Sequence, residues 1–227
     1  MKKIALFSFA ILFLIATSCG KHKKFNEGDA VEFMEYAIND SGDGVAKQAG
    51  DLAKDLDDVI SLLPCGTTKD TTIHFMLSGT NTAHYTFERH YELVCGADTS
   101  ITCSGTHDGY FESSRMRVDN TGARNWTTTG IGTTYNNYTF NGKSNGNGTW
   151  ESKVGRNTTT NTSWNITSSN VIIQKGTRKI TGGTGAFTLI ADVVDGDSFT
   201  FSGTITFNGD DTATIVINGN SYTIEIY

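Results

Sequence analysis

The feature that most constrains the fold is an alternation of apolar and polar residues with a period of two. It is clearest over residues 199–207 and 213–217, where the apolar residues occupy every second position and Ser or Thr mostly fills the places between. This alternation predicts β-strands with one buried face. Short turns containing Gly, Asn or Asp separate these strands, and strands joined by such turns pair antiparallel. The sequence therefore predicts an antiparallel meander.

The same period begins near Thr71. Residues 73–77 and 83–93 form two alternating runs on either side of Gly79-Thr80-Asn81, which predicts a hairpin that pairs about Thr80. Glycine is plentiful and proline occurs once, as tight turns in an extended sheet require. We expect an all-β domain over residues 65–227, with about ten strands in a curved sheet, a sandwich or an incomplete barrel.

A helical segment precedes the predicted sheet. Residues 29–38 can form a short helix, and a second apolar stripe then repeats at spacings of three and four until Pro64. Residues 29–64 are therefore predicted to be an αα-hairpin that packs on the sheet. The second stripe consists of Val45, Ala49, Leu52, Leu56, Val59 and Leu63.

The N terminus has the features of an export signal. Lys2 and Lys3 precede an apolar run over residues 4–15, which is too short for a permanent membrane span of about 20 residues. The following Ala-Thr-Ser-Cys-Gly at residues 16–20 resembles the lipobox of bacterial lipoproteins. The resemblance implies a signal peptide at 1–18, lipidation of Cys19 and a lipidated linker at 19–28.

The same resemblance bears on location. Gly20 is not the aspartate associated with retention in the inner membrane, and no acidic run follows Cys19 to direct export to the cell surface. We therefore expect the lipid anchor in the outer membrane, at its periplasmic face. The formal net charge of −6 and the lack of a basic stripe argue against a nucleic-acid partner.

Three cysteines remain after Cys19 is assigned to lipid, and an oxidising compartment favours disulfides. Cys95 and Cys103 flank a short segment and would face each other if a hairpin were symmetric about Thr99. We predict a Cys95–Cys103 disulfide, with Cys65 as the alternative partner for either of them.

Aromatic residues interleaved with Asn and Thr predict a ligand surface that would suit a glycan or an apolar ligand. We expect no catalytic centre and no cofactor. We also expect no metal, because His84, Glu88, His90 and Glu92 fit a solvated strand face. The predicted ligand surface consists of Trp126, Tyr135, Tyr138, Trp150 and Trp164.

A second resemblance covers the β domain. Leu63-Pro64-Cys65-Gly66 after a helix, with Asn137-Tyr138-Thr139-Phe140-Asn141-Gly142 and then Gly148-Thr149, is similar to a group of uncharacterised Bacteroidota lipoproteins. No activity comes with this group. Within the chain, 138–142 resembles 199–203 and 205–209, and we interpret each as a strand end that runs into a glycine turn.

These features predict a membrane-anchored cell-envelope lipoprotein with a non-catalytic binding or scaffolding role. Its partner would be a glycan, an apolar ligand or another envelope protein, and the alternative is an envelope hydrolase acting on glycan or peptide. Some Bacteroidota O-glycosylate exported proteins at sequons that Asp70-Thr71-Thr72 and Asp211-Thr212-Ala213 resemble. We therefore expect glycosylation at Thr71 or Thr212.

Overall fold

A computed structural model describes residues 24–40, 44–58, 64–96, 98–154 and 157–227. Its first elements are two helices, α1 (Glu27–Ile38) and α2 (Val45–Asp58). Asn26 caps α1, since its side chain accepts a hydrogen bond from the backbone amide of Asp29. The Asp29 side chain in turn accepts a hydrogen bond from the backbone amide of Asn26. The predicted stripe residues Val45, Ala49, Leu52 and Leu56 are buried, whereas Val59 and Leu63 lie outside the described residues.

Ten antiparallel strands follow in one open, curved sheet whose spatial order is the sequence order. This confirms the predicted meander. The strands are β1 (Thr68–Leu77), β2 (Thr82–Val94), β3 (Ser100–Glu112), β4 (Met116–Thr129), β5 (Asn137–Ser152), β6 (Thr159–Gln174), β7 (Ile180–Val193), β8 (Ser198–Phe207), β9 (Thr212–Ile217) and β10 (Asn220–Glu225).

The first hairpin has the predicted register. Leu77 pairs with Ala83 and Thr68 with Glu92, so paired residues lie at equal distances from residue 80. β1 begins at Thr68, three residues before the predicted start. Along β2 every odd-numbered residue from Ala83 to Leu93 is buried, as the alternation predicted. We call this side of the sheet the inner face and the opposite side the outer face.

Both helices cover the inner face. Arg89 on β2 is buried and holds α2, because its guanidinium donates to Gln48 (2.9 Å), Asp51 (3.2 Å) and Asp55 (3.2 Å). Tyr91 also donates to Asp55, and burial raises the pKa of the Tyr91 hydroxyl so that it stays a neutral donor. A buried cation that meets carboxylates and an amide in this way fixes the position of the helix.

The helix α1 lies against the last strand. The Glu27 carboxylate accepts hydrogen bonds from Asn218 (3.0 Å), Asn220 (2.8 Å) and Tyr222. After the helix, the Asp40 amide donates to the Ile226 carbonyl at 3.1 Å. The first helix is thus joined to the far edge of the sheet.

Glycines occupy the middle of the inner face, where large rings lie flat over them. A Cβ on Gly146 would come within 2.8 Å of the Trp164 ring, and one on Gly122 within 2.2 Å of the His107 ring. Gly142 likewise lies beneath Trp126. These strands pack their core with rings from neighbouring strands, and for this reason the apolar alternation fades there.

Two of the expected glycine turns are therefore wrong. β5 continues through Gly142, although its pairing with β6 is irregular between Phe140 and Gly142. β8 continues through Gly203, whose missing Cβ makes room for the Phe187 ring. Gly209 does follow the end of a strand, with a left-handed φ of 87°. Glycine therefore has two different roles in the shared pattern. Gly209 forms a turn, whereas Gly142 and Gly203 leave room for a ring.

Candidate functional site

A large depression lies on the outer face and crosses β2 to β7. Two parallel rows of outward-pointing side chains form its walls, and each residue in a row pairs with the next across adjacent strands. We call it the polar trough. One wall is Glu88, Thr106, Ala123, Asn145, Asn165 and Thr188, and the other is Thr86, Asp108, Thr121, Asn147, Ser163 and Ile190.

The trough is open, with a volume of about 740 Å³. Six strands span roughly 24 Å, and the two walls stand roughly 7 Å apart because they are two residues apart along each strand. The backbone of the row between them is the floor, which includes the paired Gly122 and Gly146. On the inner face beneath this floor, His107 and Trp164 stack at 6.4 Å between centroids. A packed core therefore supports the floor.

The walls present hydroxyl, amide and carboxylate groups, and no Lys or Arg is among the lining residues. Thr121 donates to the Asn147 side chain at 3.0 Å, and Thr106 donates to Glu88 at 3.4 Å. These cross-strand bonds hold the groups at the strand spacing while leaving further lone pairs and amide hydrogens for a ligand. The arrangement suits an extended molecule that carries many hydroxyl groups and no negative charge.

The predicted aromatic ligand surface is wrong for four of its five members. Trp126, Tyr138, Trp150 and Trp164 are all buried on the inner face. Tyr135, in the segment between β4 and β5, is 53% exposed and stands apart from the trough. Tyr138 donates to Asp57 of α2 at 2.6 Å. The rings therefore build the core and the helix contact, and the Asn and Thr residues between them form the outer surface.

The predicted Cys95–Cys103 disulfide is also wrong. Cys65 and Cys95 form the bond, with their Cα atoms 5.6 Å apart. Both lie 15 residues from residue 80, so the register of the first hairpin places them opposite each other. β2 and β3 instead pair about residue 97, which puts Cys103 opposite Tyr91. Cys65 was predicted only as the alternative partner, and it is the residue that bonds to Cys95.

Cys103 is a free, buried thiol on the inner face. Burial raises its pKa to about 11, against a lowering influence from Arg89 and Arg124. The thiol is consequently protonated at neutral pH, and the nucleophilic form of cysteine is the thiolate. Cys103 therefore serves as a small apolar core residue.

His84, Glu88, His90 and Glu92 are exposed on the outer face, as predicted. His90 pairs with Asp70 at 2.7 Å across β1 and β2. Within the described part of the chain, no three His, Cys, Asp or Glu side chains come close enough to hold a metal ion.

The two predicted glycosylation sites differ in setting. Thr212 opens β9, and its hydroxyl donates a hydrogen bond to the Asp210 carboxylate (2.6 Å) and accepts one from the Asn208 side-chain amide (2.9 Å). Thr71 lies inside β1 on the half-buried inner side, opposite Arg89. Thr71 was expected to open a strand, and it lies inside β1 instead. Glycosylation at either residue stays a prediction.

Residues 1–18 and Cys19 lie outside the described residues. In the part that the structure describes, neither helix combines the length and the apolar character needed to cross a bilayer. Comparisons with protein-family models, curated proteins and solved structures found no match to this chain. The geometry of the outer face is therefore the main guide to function.

Sequence reasoning missed the trough, although its signal was present. The Thr, Asn and Ser residues between the apolar positions of β5 to β7 were interpreted as a mere complement to the aromatic residues. Their alignment into two walls depends on the register of six strands. A single strand pattern does not contain that information.

Proposed function

We propose that the protein is a lipid-anchored envelope protein that binds a neutral glycan along the polar trough without chemically changing it. The observation that carries the proposal is the double row of hydroxyl, amide and carboxylate groups across six strands. A glycan chain offers hydroxyl groups at regular intervals, and each can donate to Glu88, Asp108 or an Asn carbonyl. The missing basic groups disfavour an acidic polysaccharide, since the two wall carboxylates would repel it.

The expected affinity is modest. A hydrogen bond that replaces one to water contributes about 0.5–1.5 kcal/mol, and one to a charged group about 1.5–3 kcal/mol. Several such bonds along one chain, less the cost of ordering it, correspond to a Kd of about 10 µM to 1 mM. The trough lacks a stacked aromatic platform, so the binding depends on repeated polar contacts.

The first prediction concerns the two asparagines on β5. Asn145→Ala with Asn147→Ala removes one amide from each wall, and we expect about a tenfold weaker affinity for a neutral soluble glucan because two polar contacts are lost. Affinity electrophoresis in gels containing hydroxyethyl cellulose or laminarin measures the retardation, and titration calorimetry gives the Kd.

The matched control is Thr206→Ala with Thr223→Ala, which removes two exposed hydroxyls from the same face outside the trough. It should bind the glucan like the unaltered protein. Equal retardation by polygalacturonate would contradict the proposed charge preference. Failure of a panel of neutral glycans to bind would contradict the proposal itself.

One observation favours a hydrolase as the second candidate. Glu88 and Asp108 lie on neighbouring strands at diagonal positions in the trough, where Cα atoms are typically about 7–8 Å apart. In most glycosidases the two catalytic residues are Asp or Glu, with their carboxyl groups roughly 5–9.5 Å apart. Incubation with a glycan that binds separates the two functions. A binding protein leaves the chain length unchanged, whereas a hydrolase releases reducing ends and loses that activity in Glu88→Gln or Asp108→Asn.

The second prediction concerns the anchor, which the sequence at residues 16–20 supports. Cys19→Ala removes the acceptor of the lipid, so we expect the protein to leave the outer-membrane fraction and to accumulate unprocessed or soluble. Fractionation of the native host, with mass spectrometry of the mature N terminus, measures this. Cys103→Ala is the control and should fractionate like the unaltered protein. Acyl-dependent membrane association of the Cys19→Ala protein would overturn the assignment.

A further inference from the structure

The two edges of the open sheet differ. β10 has six residues, and its edge is joined to α1 through Glu27 and to Asp40 through the Ile226 carbonyl. β1 has ten residues and pairs only with β2 among the described strands. A long open edge is a template for pairing with another strand. Of the two edges, β1 is therefore the one that can accept a partner.

The apolar residues of β1 are incompletely covered. Ile73, Phe75 and Leu77 lie on the inner face but are only partly buried, although their cross-strand partners Phe87, Tyr85 and Ala83 are fully buried. β1 is also the one described strand in which no residue is buried. On the outer face, Met76 is 76% exposed. The C-terminal part of β1, residues 73–77, thus has apolar side chains on both faces of the sheet, and no described strand covers its free edge.

The backbone of this edge also has unused hydrogen-bonding capacity. The Leu93 amide donates to the Thr67 carbonyl at 3.1 Å, so odd-numbered residues of β1 bond to β2 and even-numbered ones point the other way. The N–H and C=O groups of Thr72, His74 and Met76 therefore face outward. Within the described residues, no backbone hydrogen bond is made to that side.

We infer that β1 pairs with β1 of a second copy of this chain, antiparallel and centred on Phe75. In this register Phe75 faces its own copy, and Ile73 faces Leu77 on each side. His74 and Met76 of opposite copies then exchange backbone hydrogen bonds. The match is self-complementary, because each partly buried apolar side chain meets another one.

Charge supports the same centre. Lys69 and Asp70 lie at the other end of β1, and charges of this kind protect an edge from pairing. Centring on Phe75 leaves both of these charges outside the paired segment. Lys47 of α2 lies 4.8 Å from the centre of the Phe75 ring, but it is paired with Asp51 at 2.7 Å, so each copy brings a neutralised lysine to the centre. The two-fold axis runs normal to the sheet, so both polar troughs would lie on the same side of the joined sheet.

The interface is small, involving about five residues from each copy, which by area belongs to the weak, transient class. The pairing rests on the lipid anchor proposed above: two chains anchored in one membrane have a high effective concentration, and this can make a weak contact productive. The pairing is consequently expected in the membrane and not in dilute solution. It uses a surface separate from the trough, so its failure would leave the proposed glycan binding untouched.

Site-specific disulfide formation tests the register. Phe75→Cys in the full-length chain would place two thiols in a non-hydrogen-bonded pair, where Cα atoms are about 4.5 Å apart and a disulfide can form. Mild oxidation of isolated membranes should give several-fold more covalent dimer on a non-reducing gel than Lys69→Cys on the same strand or Thr223→Cys on the β10 edge. Absence of this excess, or a maximum at Lys69→Cys, would overturn the inference.

A second pair of variants guards against a folding defect at Phe75. His74→Cys and Met76→Cys are exposed changes, and a mixture of the two proteins should cross-link more than either alone. His74→Pro removes an outward amide and keeps every backbone bond to β2, although the side-chain bond to Thr86 (3.2 Å) is lost. A chain that carries both His74→Pro and Met76→Cys should therefore fail to cross-link with a His74→Cys chain. His74→Ala in the same position keeps the amide and should preserve it. Equal cross-linking by the proline and alanine proteins would contradict strand pairing.

Discussion

Trp150→Ala is expected to lower the free energy of unfolding by about 3–5 kcal/mol. Trp150 is 1% exposed, makes an edge-to-face contact with Phe25 at 5.1 Å between centroids, and directs its indole N–H at the Met116 sulfur at 3.3 Å. Removing the ring leaves a cavity between the inner face and the segment that leads into α1. Urea unfolding followed by circular dichroism measures the shift in midpoint, and Trp150→Phe should lose less.

Tyr135→Ala is the matched control for this change. It removes an aromatic ring of the same predicted set, but one that is largely exposed, so the expected change lies within about 0.5 kcal/mol. Similar losses in both variants would show that burial does not distinguish these rings. A small loss in Trp150→Ala alone would mean that the indole is not part of the packed core.

Removing the Cys65–Cys95 bond is expected to cost about 3–4 kcal/mol, since it closes a loop of 30 residues in the unfolded chain. The Cys65→Ala, Cys95→Ala protein should unfold at a lower urea concentration and should not respond to a reductant. The unaltered protein should fall to a similar midpoint when reduced.

Cys103→Ala is the control for the disulfide. It keeps the bond, so its unfolding should remain sensitive to reductant whatever the small cost of the lost thiol. A Cys103→Ala protein that no longer responds to reductant would contradict the Cys65–Cys95 pairing and would support the pairing that we first predicted from the sequence.

The parts of the fold that follow from the sequence are those in which each strand has a clear apolar face. In β2 and in β7 to β10 the alternation identifies the buried side, because most inward positions carry an apolar residue; the buried Arg89 of β2 is an exception. Turn residues such as Asn208-Gly209 then separate the strands. Local information is sufficient here, since a hairpin pairs neighbours in the chain.

The middle strands could not be located individually for a physical reason. In β3 and β4 the inner positions include Gly105, His107, Asn120, Gly122 and Arg124, most of them buried. Their burial depends on rings supplied by adjacent strands and on the Arg124–His107 hydrogen bond at 3.0 Å. A pattern of hydrophobicity along one strand does not contain these contacts.

The disulfide was within reach of sequence reasoning. The hairpin centred on residue 80 was predicted, and the same centre places Cys65 opposite Cys95. The prediction used the next hairpin instead and placed its centre two residues late. For the aromatic surface the missing information was the register of β3 with β4, which sets Trp126 opposite Cys103 and hence on the buried side.

The meander also dictates an order in which the molecule can be completed during synthesis. Each strand pairs with the one synthesised just before it, so the strand contacts are short-range along the chain. Each new strand therefore has its partner already present. The bonded cysteines, Cys65 and Cys95, are consecutive among the three cysteines of residues 65–227. Both are synthesised before Cys103. The helix α1 meets early partners, since Tyr36 bonds to Tyr85 at 2.6 Å and Glu32 pairs with Arg115 at 2.7 Å. The partners of Glu27, which are Asn218, Asn220 and Tyr222, are made nearly last. The earliest helix therefore completes its contacts only with the final strand, and a chain that stops short of β10 lacks the bonds that join α1 to that edge of the sheet.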